Sequence, residues 1–125
     1  MPRILLVEDE AILRESFSII MSAQSYIFET ATNGKTALDK CRENNYDLIL
    51  LDLMMPIMDG VEFLENFIEK APVKTKVVVM SNLSSSDLLK KAEKLGIHKS
   101  VLKSDMSPKQ LLSLINREVG PAKAS

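Results

Sequence analysis

Leu48-Ile49-Leu50-Leu51-Asp52-Leu53-Met54-Met55-Pro56-Ile57-Met58-Asp59-Gly60 is the stretch on which the fold class turns. Four consecutive aliphatic residues suit a strand buried on both faces. The run breaks at an acid, and the proline with the Asp-Gly pair after it signals a loop. An acid leaving the carboxyl end of such a strand stands where open α/β sheets gather their ligands. Three further runs repeat the design: Ile4 to Val7 leads into Glu8-Asp9, Val77 to Met80 into Ser81, and Val101-Leu102 into Lys103. As neighbouring parallel strands, the four bring acids, a hydroxyl and an amine to one crevice.

Outward from these runs, strand-like and helix-like segments alternate to the end of the chain, the pattern of a parallel sheet covered by helices on both faces. The expected class is α/β. A second strand is expected from Tyr26 to Thr30, on its β-branched and aromatic content. The other strands span Lys76 to Met80 and Ser100 to Leu102. Helices are expected from Glu10 to about Ser22, with Leu13, Phe17, Ile20 and Met21 inward, and after Asn33-Gly34, with Ala37, Leu38 and Cys41 inward. A third follows Gly60 and carries Val61, Phe63, Leu64, Phe67 and Ile68. Ser84 to Asp87 offers caps for a fourth, with Leu88, Leu89, Ala92 and Leu95 inward and Gly96 as its stop. Ser107-Pro108-Lys109-Gln110 supplies an N-cap, a proline at the first helical position and a capping-box Gln for a fifth. Its buried side is expected to be Leu111, Leu112, Ile115 and Val119. Residues 1–119 are read as one domain, and residues 120–125, small and polar, as a mobile tail.

Composition narrows the function classes. The 125 residues are 46% hydrophobic and 26% charged, with a net charge of -1. That balance is ordinary for one globular domain and gives no bulk attraction to nucleic acid or anionic lipid. Neither a signal-peptide pattern nor an apolar stretch of membrane-spanning length is present, so a cytoplasmic location is expected. The single Cys41 permits no internal disulfide and reads as a packing residue. The lone His98 has no second imidazole or thiol arranged with it and reads as a loop or strand-edge residue.

Among the acids, Asp47, Asp59, Asp87 and Asp105 suit turns and helix starts. Glu8, Asp9 and Asp52 differ, because each follows an apolar run directly. Carboxylates held close repel one another, which raises a pKa or calls for a cation. All-oxygen ligands favour Mg²⁺. A carboxylate is also a nucleophile toward phosphorus, provided that positive charge neutralises the transferring group and donors position its oxygens. Lys103 and Ser81 suit those tasks.

With these residues assembled, the chain resembles the receiver domain of two-component response regulators across residues 3 to about 119. Val7-Glu8-Asp9 resembles the family's acidic pair. Leu51-Asp52-Leu53-Met54-Met55-Pro56 with Met58-Asp59-Gly60 resembles its phosphoacceptor block, Met80-Ser81 its Ser/Thr position and Leu102-Lys103 its lysine. The resemblance implies a five-stranded, flavodoxin-like doubly wound sheet in the order 2-1-3-4-5. It implies that Asp52 accepts a phosphoryl group from a histidine kinase, a phosphotransfer protein or a small donor. It further implies Mg²⁺ held by Asp9, Asp52 and the Met54 carbonyl, with Glu8 acting mostly through water. The output would be a protein target or output domain of unknown identity, reached through the loop after strand 4 and the helix 4/strand 5 face, and dimerisation on phosphorylation is compatible with this. The chain would be a phosphoacceptor rather than an enzyme, with at most self-phosphorylation from small donors and slow self-dephosphorylation.

Three positions depart from the family pattern. Ser104 replaces the usual proline after the lysine, so the Lys103-Ser104 bond is expected to be trans, since a cis bond without proline costs about 3–4 kcal/mol. Asn82 replaces a small residue, and its amide is expected to overhang the acceptor and slow phosphorylation. Ser100 replaces an aromatic, which removes a swinging ring and leaves a shift of Ser81 and the loop to Ser86 as the expected switch. Met54 lies near the path of an attacking water. These departures support an alternative, an interaction module that keeps the fold and works without phosphorylation. A flavin carrier of the same topology is disfavoured, because Glu8-Asp9-Glu10 would repel its phosphate, and no Gly-rich nucleotide loop is present.

Overall fold

Among the described residues, alternating apolar runs and amphipathic stretches become five strands and five helices. The computed structural model describes residues 1–70 and 74–120, with only the backbone of Lys70. In chain order these are β1 (Arg3–Val7), α1 (Ala11–Ser22), β2 (Ile27–Ala31), α2 (Gly34–Glu43), β3 (Leu48–Asp52), α3 (Gly60–Phe67), β4 (Lys76–Ser81), α4 (Ser86–Leu95), β5 (Lys99–Leu102) and α5 (Pro108–Val119). Short 3-10 turns occupy Ile68–Lys70, Leu83–Ser85 and Lys103–Asp105. All strand pairs are parallel, in the order β2-β1-β3-β4-β5. This is the doubly wound, flavodoxin-like sheet that the resemblance implied.

Period-two alternation along the central strands explains the two layers. Leu5, Val7, Ile49, Leu51, Val77 and Val79 pack with side chains of α2, α3 and α4. Ile4, Leu6, Leu48, Leu50, Val78 and Met80 pack with α1 and α5. Both faces of β1, β3 and β4 are therefore covered, which is why these runs are apolar without interruption.

Helix starts follow cap chemistry. The Asn33 side chain accepts from the Thr36 N–H at 2.9 Å, while Asp59 with Glu62 and Ser107 with Gln110 form reciprocal capping boxes. Gly96 ends α4 at φ 94. Ser85 precedes α4 without a side-chain cap bond, because its hydroxyl is engaged backwards, donating to the Asn82 carbonyl and accepting the Asn82 N–H, each at 2.9 Å.

Two expectations are corrected. Strand β2 starts one residue late: the Tyr26 ring is buried and its hydroxyl, a single donor, sits between two acceptors, the Asn116 side-chain oxygen and, at 2.6 Å, the Gly120 carbonyl. That contact holds the carbonyl of Gly120, the first residue of the expected tail; residues 121–125 lie outside the described residues. The buried side of α5 is Leu111, Leu114 and Ile115, with Leu112 and Val119 only half-buried. Positions 111, 114, 115 and 118 form one helical face. Its fourth place belongs to Glu118, whose side chain is 7% exposed and accepts from Lys99 Nζ at 3.2 Å beside His98 Nε2 at 2.7 Å. A charged residue at a core-facing position shifted the expected stripe. Among the described residues no helix is long and apolar enough to cross a membrane.

Candidate functional site

Register places the site. Val7 lies opposite Leu51, Asp52 opposite Met80, and Ser81 opposite Leu102. Glu8, Asp52, Ser81 and Lys103 therefore leave the sheet in step, at one edge. Glu8, Asp52 and Ser81 are buried.

Lys103 binds the group together. Its Nζ donates to Asp52 Oδ2 at 3.0 Å, Glu8 Oε2 at 3.1 Å and Glu10 Oε1 at 3.0 Å. An ammonium has three N–H groups, so all are used. The Met54 N–H donates to Asp52 Oδ1 at 3.3 Å, so both Asp52 oxygens are covered and the residue is 2% exposed. Glu8 is held by the Glu10 N–H at 3.1 Å, and its own N–H donates to the Ala31 carbonyl at 2.9 Å. Arg14, one turn into α1, donates to the carbonyls of Glu8 and Asp9 at 3.0 and 2.7 Å and fixes the loop between β1 and α1.

Charge is unevenly compensated. Burial pushes the Glu8 carboxyl up to about 7, against the opposing hydrogen bonds of Lys103 and the Glu10 N–H. Burial alone would lower the Lys103 ammonium, but hydrogen bonds to Glu8, Asp52 and Glu10 outweigh it and hold the group above its ordinary value. Glu8 Oε1 lies 2.8 Å from Nζ, an ion-pair distance, yet no donor meets it in hydrogen-bonding geometry. One oxygen each from Glu8, Asp9 and Asp52 lie within 4.8 Å of one another. That is close to the span of roughly 4 Å between opposite ligands of Mg²⁺. An orphaned buried oxygen and an excess of carboxylates over cations both fit a small divalent ion.

The loop after β3 is shaped by close approach. A Cβ on Gly60 would lie 2.7 Å from the Asp52 carbonyl oxygen and 2.8 Å from Leu53 Cα, while its N–H donates to Leu53 O at 2.9 Å. Only glycine lets α3 begin against the backbone of Asp52. Within the loop, Ile57 adopts φ 69 with its side chain 78% exposed. Asp9, Met54, Met55, Pro56, Asp59 and Leu88 line a groove beside the acids. The Ser84 hydroxyl approaches Met54 Sδ at 3.9 Å and ties the turn after β4 to this loop.

Glu8, Asp9, Asp52 and Lys103 thus meet as the sequence led us to expect, and Ser81 takes the edge position between β3 and β5. Asn82 is exposed, with its backbone rather than its side chain tied to Ser85. No cis peptide bond occurs among the described residues, so Lys103-Ser104 is trans; Ser100 and Ser104 are exposed. Glu10 and Arg14 were missed. A third acid directly after Glu8-Asp9, facing a lone lysine, was the available signal for Glu10; nothing in the pattern marked Arg14. Cys41 is half-buried, and burial raises its thiol to about 12. His98 lies just before β5, paired with Glu118.

The family model "Response regulator receiver domain" matches residues 4–116. The chain is 46% identical over 68 residues to the transcriptional regulatory protein ResD of Bacillus subtilis, covering 54% of this chain and 28% of that protein. It is 30% identical over 119 residues to a protein-glutamate methylesterase/protein-glutamine glutaminase of Cereibacter sphaeroides, covering 94% of this chain and 33% of that one. It therefore spans a third or less of the length of these relatives. Chemotaxis response regulator CheY4 of Vibrio cholerae superposes with a TM-score of 0.82 at 27% identity, covering 95% of this chain and 99% of that one. On the family match, the shared fold and the site these strands assemble, the chain belongs to the response regulator receiver domains of two-component systems.

Proposed function

We propose that this domain is a phosphoacceptor switch in which Asp52 attacks the phosphorus of a phosphohistidine on a histidine kinase or phosphotransfer protein, or of a small phosphodonor. The observation that carries the proposal is Lys103 Nζ at 3.0 Å from Asp52 Oδ2 beside a cluster of three further acids at the sheet edge. In the reaction an Asp52 oxygen forms the new P–O bond and the donor's bond to phosphorus breaks, leaving an acyl phosphate. Lys103 neutralises the transferred charge, and Ser81, with Asn82 at the mouth, contacts the phosphoryl oxygens. Asp9, Asp52 and the Met54 carbonyl, with Glu8 through water, would hold Mg²⁺, which would supply positive charge to the transferring group.

A shift of Ser81 toward the phosphoryl group would pull on the Asn82–Ser85 turn and so alter the face of α4 and β5. Amide exchange in residues 81–86 that is identical with and without a phosphoryl mimic would refute that route. The output is a protein target or a further domain, the location cytoplasmic, and catalysis is limited to the domain's own phosphorylation and hydrolysis.

One observation favours a second reading: Asp52 is 2% exposed, as a binding module without phosphorylation would tolerate. Intact mass separates the two. Incubation with Mg²⁺ and a small acyl phosphate should add one phosphoryl group to the wild type and none to Asp52→Asn; no addition to the wild type overturns the switch.

A further inference from the structure

Glu10 occupies the N-cap of α1, a place that favours Ser, Thr, Asp or Asn, yet its side chain makes no cap bond. It reaches to Lys103 Nζ instead, at 3.0 Å. A local rule given up for a contact with the site lysine marks a functional position.

The three acceptors on Lys103 are unequal. Its N–H groups are all committed, so an arriving phosphoryl oxygen must displace one acceptor. Glu8 is fully buried and would be left a desolvated, unpaired carboxylate. Asp52 is the group being acylated. The Glu10 side chain is 59% exposed and recovers water when released. Glu10 is therefore the partner that yields.

We infer that Glu10 is a positioning residue that tethers Lys103 over Asp52 in the resting state and sets how readily the ammonium moves to the phosphoryl group. The inference rests on Asp52 being the phosphoacceptor. An interaction present in the ground state and surrendered in the transition state slows the step. Loss of the Glu10 contact accelerates phosphorylation. Glu10's second contact, its backbone N–H on Glu8 Oε2, survives substitution.

The test uses single-turnover phosphorylation of the full chain by a small acyl phosphate across donor concentrations, with thermal melting alongside. Glu10→Ser removes contact and charge; Glu10→Asp keeps a charge that falls short of Lys103. Glu15→Gln, exposed on the same helix, removes an equal charge elsewhere. The expected result is a maximal rate raised roughly two- to fivefold in both Glu10 variants, the worth of one partly exposed ion pair. Glu15→Gln should match the wild type, and melting temperatures of the Glu10 variants should hold or rise, since Ser and Asp cap helices. A Glu10→Asp rate equal to wild type would replace the contact with a general field and overturn the inference. An unchanged or slower Glu10→Ser would do the same. A wild type that takes no phosphoryl group at Asp52 would instead overturn the function on which the inference rests.

Discussion

Among the described residues, Ile57 is the one most at odds with its backbone. A β-branched side chain at φ 69 lies in the left-handed region, where an L-residue other than Gly or Asn loses roughly 1–2 kcal/mol. At 78% exposure the sec-butyl side chain regains little by packing. Ile57→Asn should therefore raise stability by about 1 kcal/mol, read as a higher urea midpoint at unchanged slope. A lower midpoint would show that the side chain contributes packing that its exposure conceals. Gly60 is the opposite case, its missing Cβ leaving room for the backbone of Asp52 and Leu53. Gly60→Ala should cost about 1–3 kcal/mol, as overpacked positions do, and should slow phosphorylation by displacing Asp52. Retention of both wild-type stability and rate would mean that the loop relaxes freely.

Among the elements, α5 has its end held by a charge cluster rather than by apolar contact alone. Glu118 is flanked by Lys76, His98 and Lys99 at 3.6, 2.7 and 3.2 Å, so β4, β5 and the segment between α4 and β5 all converge on one carboxylate. Burial would raise that carboxyl, but the hydrogen bonds and charges of Lys99 and His98 outweigh it and hold it below its usual value of 4.5. A depressed carboxylate stabilises the fold above its unfolded pKa and ceases to do so as pH falls through the folded value. Glu118→Gln should therefore cost about 1–2 kcal/mol near pH 7, and the gap to the wild type should close as pH drops below about 4.5. A gap independent of pH would assign the loss to packing. The same element shows what the sequence reveals and what it hides. Capping residues declare the start of α5 because their chemistry is local: Ser107, Pro108 and Gln110 act within one turn. Leu114 and Glu118 required tertiary knowledge, since the partners of Glu118 come from β4, β5 and the segment before β5. Glu10 is alike, a side chain whose role depends on a lysine brought near only by the sheet.

At the level of the whole molecule, the strand runs and the residues that end them were legible because a parallel sheet buried on both faces leaves little freedom in its pattern. The same architecture drives its acids together at one edge. Glu8, Glu10 and Asp52 share the Lys103 ammonium, and Asp9 stands beside Glu8 and Asp52, so the folded state carries repulsion that a cation would relieve. Binding to the folded state alone adds RT ln(1 + [L]/Kd), about 1.4 kcal/mol at ten times Kd. For a domain of this size that corresponds to a rise on the order of 5 °C in melting temperature. Mg²⁺ should therefore raise the melting temperature of the wild type saturably and reversibly on chelation. The rise should vanish in Asp9→Asn, whose side chain is the least buried member of the cluster. Sodium chloride at matched ionic strength supplies the control, since general screening would act equally through either salt. An equal shift with sodium, or an undiminished magnesium shift in Asp9→Asn, would mean that the acids at this edge answer to bulk ionic strength and hold no ion of their own.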